Sequence, residues 1–200
     1  MPADNQHHRR HLTDPTPSTG RPASDLIFSL GGNDRVDGRA GDDCILLGAG
    51  NDRGTGSGGD DWVLGEQGND RISGDSGDDH LDGGSGNDRV EGDSGNDLLL
   101  GRDGNDRLSG GPGNDVARGG PGNDRVDGGA GDDLLRGGSG NDRVTGGSGV
   151  DTMFGGSGDD RLDAVDDRRD AVINCGPGND RAVIDRMDPF PQNCEVVRRR

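Results

Sequence analysis

Three observations predict an all-β solenoid in which short parallel strands stack coil upon coil. Asp recurs every nine residues without a slip from Asp34 to Asp160. The residue after each of these Asp is Arg in every second unit and never in between, so the full period is eighteen. The third observation is composition: 42 Gly among 200 residues, with 25% hydrophobic and 2% aromatic side chains, against nearly half apolar in an ordinary single-core globule. A chain so acidic and Gly-rich is disordered by default. Only the order of its residues can overturn that.

Residues 1–19 read as a disordered polar tail, with Pro2, Pro15 and Pro17 and almost nothing apolar. His7 and His11 have the spacing of helical metal ligands, but they stand in a polar segment between prolines with no Cys beside them, so a solvated tail is expected. No hydrophobic run serves as a secretory signal core. Export is therefore expected to depend on a misplaced start codon or on an uncleaved C-terminal route. Residues 20–28 form a degenerate N-terminal capping repeat: Asp25 keeps the register, while Ala23 replaces the Gly that precedes Asp elsewhere.

Residues 29–163 hold 15 nonapeptides. Their Asp are Asp34, Asp43, Asp52, Asp61, Asp70, Asp79, Asp88, Asp97, Asp106, Asp115, Asp124, Asp133, Asp142, Asp151 and Asp160. Two residues before each is a Gly, from Gly32 to Gly158, and two residues after each is an apolar side chain, with Gly54 the exception and Ala117 weak. The unit is G-G-x-G-N/D-D-x-U-x with U apolar, as in Gly137 to Thr145. Gly supplies the φ > 0 backbone of a tight turn, and three residues centred on U make a minimal strand. One inward side chain buries little, so a unit must stack to be stable. This pattern resembles the hemolysin-type, or RTX, calcium-binding nonapeptide, and the C-terminal Cys-bracketed tail with its C-E-x-V ending is similar to those of secreted actinobacterial calcium-binding proteins. The fold expected is a parallel β-roll of seven to eight coils, two short strands and two Gly/Asp-rich turns per coil, rising ~4.8 Å per coil to a length of roughly 35 to 40 Å.

The alternation separates two sets of strands. Arg35, Arg53, Arg71, Arg89, Arg107, Arg125, Arg143 and Arg161 follow Asp in the odd units, and Cys44, Trp62, His80, Leu98, Val116, Leu134 and Thr152 in the even ones. With Leu46, Leu64, Leu100 and Phe154 two residues on, the even strands carry an apolar stripe outward, unusual for a lone monomer. The stripe is expected to be covered by a terminal segment or to serve self-association or a protein partner. The Arg ladder reads as a solvated face balanced by neighbouring acids.

Charge calls for a metal. Within 29–163, 29 acids face 12 Arg, which accounts for the whole formal charge of −17. Aligned Asp stacked at coil spacing repel one another unless cations lie between them. Carboxylate and carbonyl oxygens are hard ligands and suit Ca²⁺ far better than Zn²⁺, for which the repeats offer one Cys and one His. The resemblance implies ions between turns one coil apart, held by paired Asp such as Asp34 with Asp52 and Asp43 with Asp61 and by turn carbonyls. The two columns have room for at most 13 such sites in the regular block. Ser29, Leu30 and Leu47 replace turn Gly, so the first sites depart most from the pattern.

Residues 164–200 read as an irregular C-terminal cap that keeps the open edge from pairing onward. Ala171 to Ile173 and Ala182 to Ile184 are expected as short strands. A Cys175–Cys194 disulfide would close a loop of about 20 residues, worth about 3 kcal/mol. Together with calcium this points to an oxidising, extracellular or cell-surface setting. Cys44 is left as a free thiol.

Several classes are excluded. No stretch approaches the roughly 18 apolar residues of a membrane span, and the acidic balance argues against nucleic acid, which needs a basic footprint. There is no H-E-x-x-H, no G-x-S-x-G, no Lys and no Tyr, so no enzyme is expected. The function expected is an extracellular calcium-binding repeat protein folded by Ca²⁺ between stacked turns. The alternatives are a surface or matrix adhesin or self-associating scaffold using the apolar stripe, and an accessory subunit of a secreted enzyme or toxin.

Overall fold

A computed structural model describes residues 10–13, 24–166 and 168–200 of the chain. Its strands in chain order begin with β1 Arg10–Thr13, β2 Asp25–Phe28, β3 Arg35–Ala40, β4 Cys44–Leu46, β5 Arg53–Gly58, β6 Trp62–Leu64, β7 Arg71–Ser76, β8 His80–Ser85, β9 Arg89–Ser94 and β10 Leu98–Asp103. They continue as β11 Arg107–Pro112, β12 Val116–Pro121, β13 Arg125–Ala130, β14 Leu134–Ser139, β15 Arg143–Ser148, β16 Thr152–Ser157, β17 Arg161–Ala164, β18 Val172–Asn174, β19 Arg181–Ile184 and β20 Val196–Arg199. There is no helix among the described residues.

Two sheets result. One runs β1-β2-β4-β6 and onward through the even strands to β18, and the other runs from β3 through the odd strands to β19 and then β20. From β2 to β15 each strand pairs in parallel with the one eighteen residues on, as in Arg71↔Arg89 and Leu81↔Leu99, and the offset grows to twenty where β16 meets β18 and β17 meets β19. This is the expected β-roll. Most strands are six residues long, however, where three were expected. Pairing continues past the apolar residue into the Gly-rich stretch, as in Arg39↔Ser57 and Ala40↔Gly58, because backbone N–H and C=O groups there also stack at coil spacing and must be satisfied.

Part of the segment expected as a tail is ordered. Arg10–Thr13 pair antiparallel with β2 and so close one open edge of the even sheet, which meets the need to blunt a solenoid's end. His7 lies outside the described residues. At the other end, β18 and β19 are the two strands expected in the cap, while β20, in parallel register on β19, carries the odd sheet one strand further.

The core is a file of apolar side chains between the sheets, one per unit. Ile45, Val63, Leu81, Leu99 and Leu135 of the even strands and Val90, Val126, Val144 and Leu162 of the odd are fully buried, each worth about 1.5 to 3 kcal/mol. Two departures from the repeat complete one another here. A Cβ on Gly54 would lie 3.0 Å from Leu47 Cδ1 and 3.1 Å from Val63 Cγ1, so the fully buried Leu47 fills the space that Gly54 leaves in the core.

Two turn positions differ in what they demand. The Gly two residues before Asp has positive φ throughout, and at Gly122 (φ 144°) a Cβ would lie 1.6 Å from the carbonyl oxygen of Gly104. Only Gly fits. The position four residues before Asp also has positive φ in all units, yet it is occupied by Leu30, Arg39, Ser57, Glu66, Asp75, Asp93 and Arg102 as well as by Gly.

Outside the even sheet the apolar stripe is half-buried by its own neighbours except at Trp62, which is 56% exposed and stacks on His80 with ring centroids 4.4 Å apart. Arg136 lies over the Phe154 ring at 5.0 Å.

Candidate metal centre

Each turn brings its Asp to the inside of the bend. The register of eighteen then puts the Asp of one coil directly against that of the next, which produces one column per edge of the roll. From Asp43 to Asp160 every Asp of the repeat is buried. One carboxylate oxygen is spoken for: Oδ1 of Asp52 accepts from the backbone N–H of Asp34 at 2.6 Å, Oδ1 of Asp70 from Asp52, Oδ1 of Asp88 from Asp70, and the same link repeats up both columns. The other oxygen is not. Oδ2 of Asp52, Asp61, Asp70, Asp79, Asp88, Asp97, Asp106, Asp115, Asp124, Asp133, Asp142 and Asp160 is buried with no hydrogen-bond partner among the described residues.

A buried carboxylate oxygen left without a partner is costly, since ionised groups persist in an interior only when paired or metal-bound. The surroundings name the missing partner's chemistry. Except at Asp52, where Leu47 stands, each orphaned oxygen faces the bare side of the Gly five residues before it, and from Gly65 onward a carbonyl from the next coil converges at most of these glycines. A Cβ on Gly74 would lie 2.1 Å from Asp79 Oδ2 and 2.7 Å from Gly92 O, and on Gly128 it would lie 2.3 Å from Asp133 Oδ2 and 2.5 Å from Gly146 O. Only a missing side chain leaves room for this pairing of oxygens. No three His, Cys, Asp or Glu side chains converge among the described residues. A cation here draws on carboxylates and backbone carbonyls, the donor set of Ca²⁺.

Electrostatics agrees. Burial, reinforced by charged neighbours, pushes the carboxyl groups of Asp70, Asp79, Asp124, Asp133 and Asp160 up to about 7. Burial likewise raises Asp61, Asp97, Asp106, Asp142 and Asp151 to about 6. In every case the N–H donated by the preceding coil pulls down, and burial outweighs it. The bare columns want protons or cations.

The columns extend beyond the regular block at both ends. Asp25 N–H donates to Asp43 Oδ1. Asp151 N–H donates to Asp170 Oδ1, and Asp170 N–H to Asp188 Oδ1, which lengthens the even column by two carboxylates. Asp160 N–H donates to Asp180 Oδ1 and Asp180 N–H to Glu195 Oε2, which lengthens the odd one. Asp170, Asp180 and Asp188 are buried like the repeat Asp, and burial raises Asp170 to about 7 as well. The carboxylates from Asp34 to Asp160 are the sequence-expected set, and the structure brings them together. Those of the cap were missed because insertions break the period there, although the spacing of Asp160, Asp170 and Asp180 was a legible signal.

A second ladder flanks each column. The residue before Asp accepts through its side chain from the backbone N–H of its counterpart one coil on, as in Asn69 N–H to Asn51 Oδ1 at 2.8 Å and Asp78 N–H to Asp60 Oδ1 at 2.9 Å. This explains the N/D preference there, a short side chain with an acceptor oxygen, to which Val150 is the exception. Beyond the columns, Cys175 and Cys194 are disulfide-bonded with Cα atoms 5.3 Å apart. Cys44 is a half-buried free thiol whose pKa burial raises.

The profile of the RTX calcium-binding nonapeptide repeat matches residues 19–53, 55–90, 82–117, 91–126, 100–135, 109–144 and 127–162, well over half of the chain. The protein belongs to that family. It is a calcium-binding repeat protein of β-roll architecture. Among curated proteins no match was found. In RTX terms the turn is the Gly-x-Gly-Asn/Asp-Asp stretch, and it carries the orphaned Oδ2 row.

Proposed function

We propose that this RTX protein acts outside the cell as a calcium-dependent fold, in which Ca²⁺ between successive turns converts a disordered chain into the roll. The observation that carries this is the row of buried, unpartnered Oδ2 atoms from Asp52 to Asp142. Asp34 to Asp160, in steps of nine, are the carboxylate ligands of the reading, joined by turn carbonyls such as Gly92 O and Gly146 O. Asp170, Asp180 and Asp188 continue the columns in the cap. When bound, the cation supplies the positive charge that lets the stacked carboxylates stay ionised in the interior.

The chain's own residues do the rest. Backbone N–H groups of the preceding coil fix Oδ1 and so aim Oδ2, the bare Gly faces leave the space, and the flanking Asn/Asp ladder holds the bends in register. The Cys175–Cys194 bond supports an oxidising compartment. Catalysis forms no part of this reading.

Circular dichroism during a calcium titration tests it. In chelator the spectrum is that of a disordered chain, and millimolar Ca²⁺ brings up the β signal with protection of the strand amides. An unchanged β spectrum from chelator to saturation overturns the proposal.

A further inference from the structure

The Arg that marks odd units forms a continuous rail on the outside of the odd sheet. Parallel register places Arg53, Arg71, Arg89, Arg107, Arg125, Arg143, Arg161 and Arg181 side by side, ~4.8 Å apart by strand spacing. All are exposed. Like charges stacked directly across a parallel ladder are destabilising, so a row this long needs balance from somewhere. Glu91, Asp127 and Asp163, each two residues after a rail Arg, supply part of it, three acids against eight Arg. Among the described residues only Arg89 makes an ion pair, with Glu91. The turn residues that lead into the rail are mostly neutral, Asn69, Asn87, Asn105, Asn123 and Asn141, with Asp159 before Arg161 the exception, whereas those on the opposite column include Asp42, Asp60, Asp78 and Asp132.

The rail is also grooved. A cleft of about 310 Å³ lies among Arg89, Arg107, Arg125, Glu91, Ser109 and Asp127. A second, of about 290 Å³, lies among Arg53, Arg71, Arg89 and Ser73, and a third, of about 320 Å³, among Arg161, Arg181, Val196 and Arg198. Beside the guanidinium row runs an outward row in which the hydroxyls of Thr55, Ser73, Ser109 and Thr145 are interspersed with the acids Glu91, Asp127 and Asp163.

We infer that the odd sheet binds a linear acidic polysaccharide, with the guanidinium rail taking its carboxylates and the neighbouring hydroxyls its sugar hydroxyls. Guanidinium forks match carboxylates in charge and shape. Nucleic acid fits poorly, because no aromatic side chain stands on the odd strands to stack a base, and stacking is what holds single strands. The rail's field also depends on the column beneath it. Each rail Arg directly follows a column Asp, whose bare charge cancels it, so the face turns positive when cations neutralise the column. That coupling rests on the calcium-folded roll proposed above.

The experiment uses the full chain in saturating calcium, with circular dichroism in the same buffer to report the fold separately from binding. The probe is a fluorescent oligouronate of about eight sugars, too short to gel. A triple variant Arg107→Gln, Arg125→Gln, Arg143→Gln should bind it roughly tenfold more weakly or worse with the β spectrum intact. The control triple Arg102→Gln, Arg118→Gln, Arg136→Gln on the even sheet has the same change of charge and should bind as the parent does. Affinity should fall as salt rises, and the carboxyl-reduced, neutral oligosaccharide should not bind. Equal loss in both triples, full binding by the rail triple, or equal or tighter binding of single-stranded DNA or polyphosphate overturns the inference. A parent without β signal in calcium instead overturns the calcium reading on which it rests.

Discussion

The nine units from Asp34 to Asp106 and the six from Asp115 to Asp160 build the same roll from different turns. Four residues before Asp, where φ is positive, the six C-terminal units all have Gly, from Gly111 to Gly156. Seven of the nine N-terminal units have a side chain there instead. For an L-residue that conformation costs about 1 to 2 kcal/mol. In four places the side chain gives something back: Asp75 accepts from Ser73 two residues earlier, and three others reach a residue twenty positions earlier. Ser57 Oγ donates to Asp37, Asp93 accepts from Ser73, and Arg102 pairs with Asp82 at 2.8 Å. Exposed links of this kind are worth about 1 kcal/mol at most, so they offset the backbone cost only in part. Leu30, Arg39 and Glu66 have no such link. The comparison teaches that the two turn positions differ in how far the stacked backbone yields to a side chain. Two residues before Asp every unit keeps Gly, whereas four residues before it, where a Cβ on Gly111 or Gly156 would also lie 2.0 or 1.9 Å from a carbonyl oxygen of the preceding coil, seven units nevertheless hold a side chain.

The largest expected effect separates the halves by calcium demand. As calcium is withdrawn, strand amides of β3 to β9 should lose protection from hydrogen exchange at a higher free calcium than those of β13 to β16, because their turns have more strain to overcome. Loss of both halves at one calcium level would dissolve the distinction.

Next comes the contact rule. Gly122→Ala inserts a methyl 1.6 Å from Gly104 O and should destabilise the calcium-loaded roll by at least 4 kcal/mol, in the range kept for severe steric or core defects, as read by denaturant titration. A cost near 1 kcal/mol would mean that the backbone at this position yields as it does four residues before Asp.

Acid probes what both halves share. The column carboxyls are raised to about 6 or 7 in the metal-free fold, above the ordinary carboxylate value of the unfolded chain. Their protonated form therefore favours folding. This contribution is fully present below about pH 4 and is lost as pH climbs through 6 to 7. In chelator, the β signal at pH 5 should exceed that at pH 8, and calcium affinity should weaken over the same window as protons compete. A chelated spectrum that loses β structure on acidification would contradict the burial of the columns.

The smallest effect tests the strain itself. Glu66→Gly removes an unlinked side chain from a positive φ of 72° and should stabilise by about 0.5 to 1 kcal/mol, the relief less the added freedom of the unfolded chain. Arg102→Gly, which also gives up the Asp82 pair, should change stability by less. Equal gains in a calcium-saturated melt would show that the inter-coil links contribute nothing.

Much of the candidate site was legible because it is written at a fixed period. A solenoid converts spacing along the chain into adjacency in space, so the recurrence of Asp at nine and of Arg at eighteen foretold both the carboxylate columns and the in-register Arg row. What escaped lies where periodicity is broken or where contact crosses coils. The pairing of Leu47 with Gly54 looked like two separate lapses, and the flanking Asn/Asp ladder looked like a tolerated choice. Glu195, which meets Asp180 across a coil of irregular length, had no periodic signal at all.

From residue order alone come the fold class, the eighteen-residue register, the inward and outward faces and the acidic turns, because each follows from local backbone preference repeated many times. Tertiary structure decided how far the strands run into the Gly stretches, which carboxylate oxygen stays unpaired, and how the cap prolongs the columns. Those depend on distances between atoms one coil apart, which stacking sets and no single unit contains.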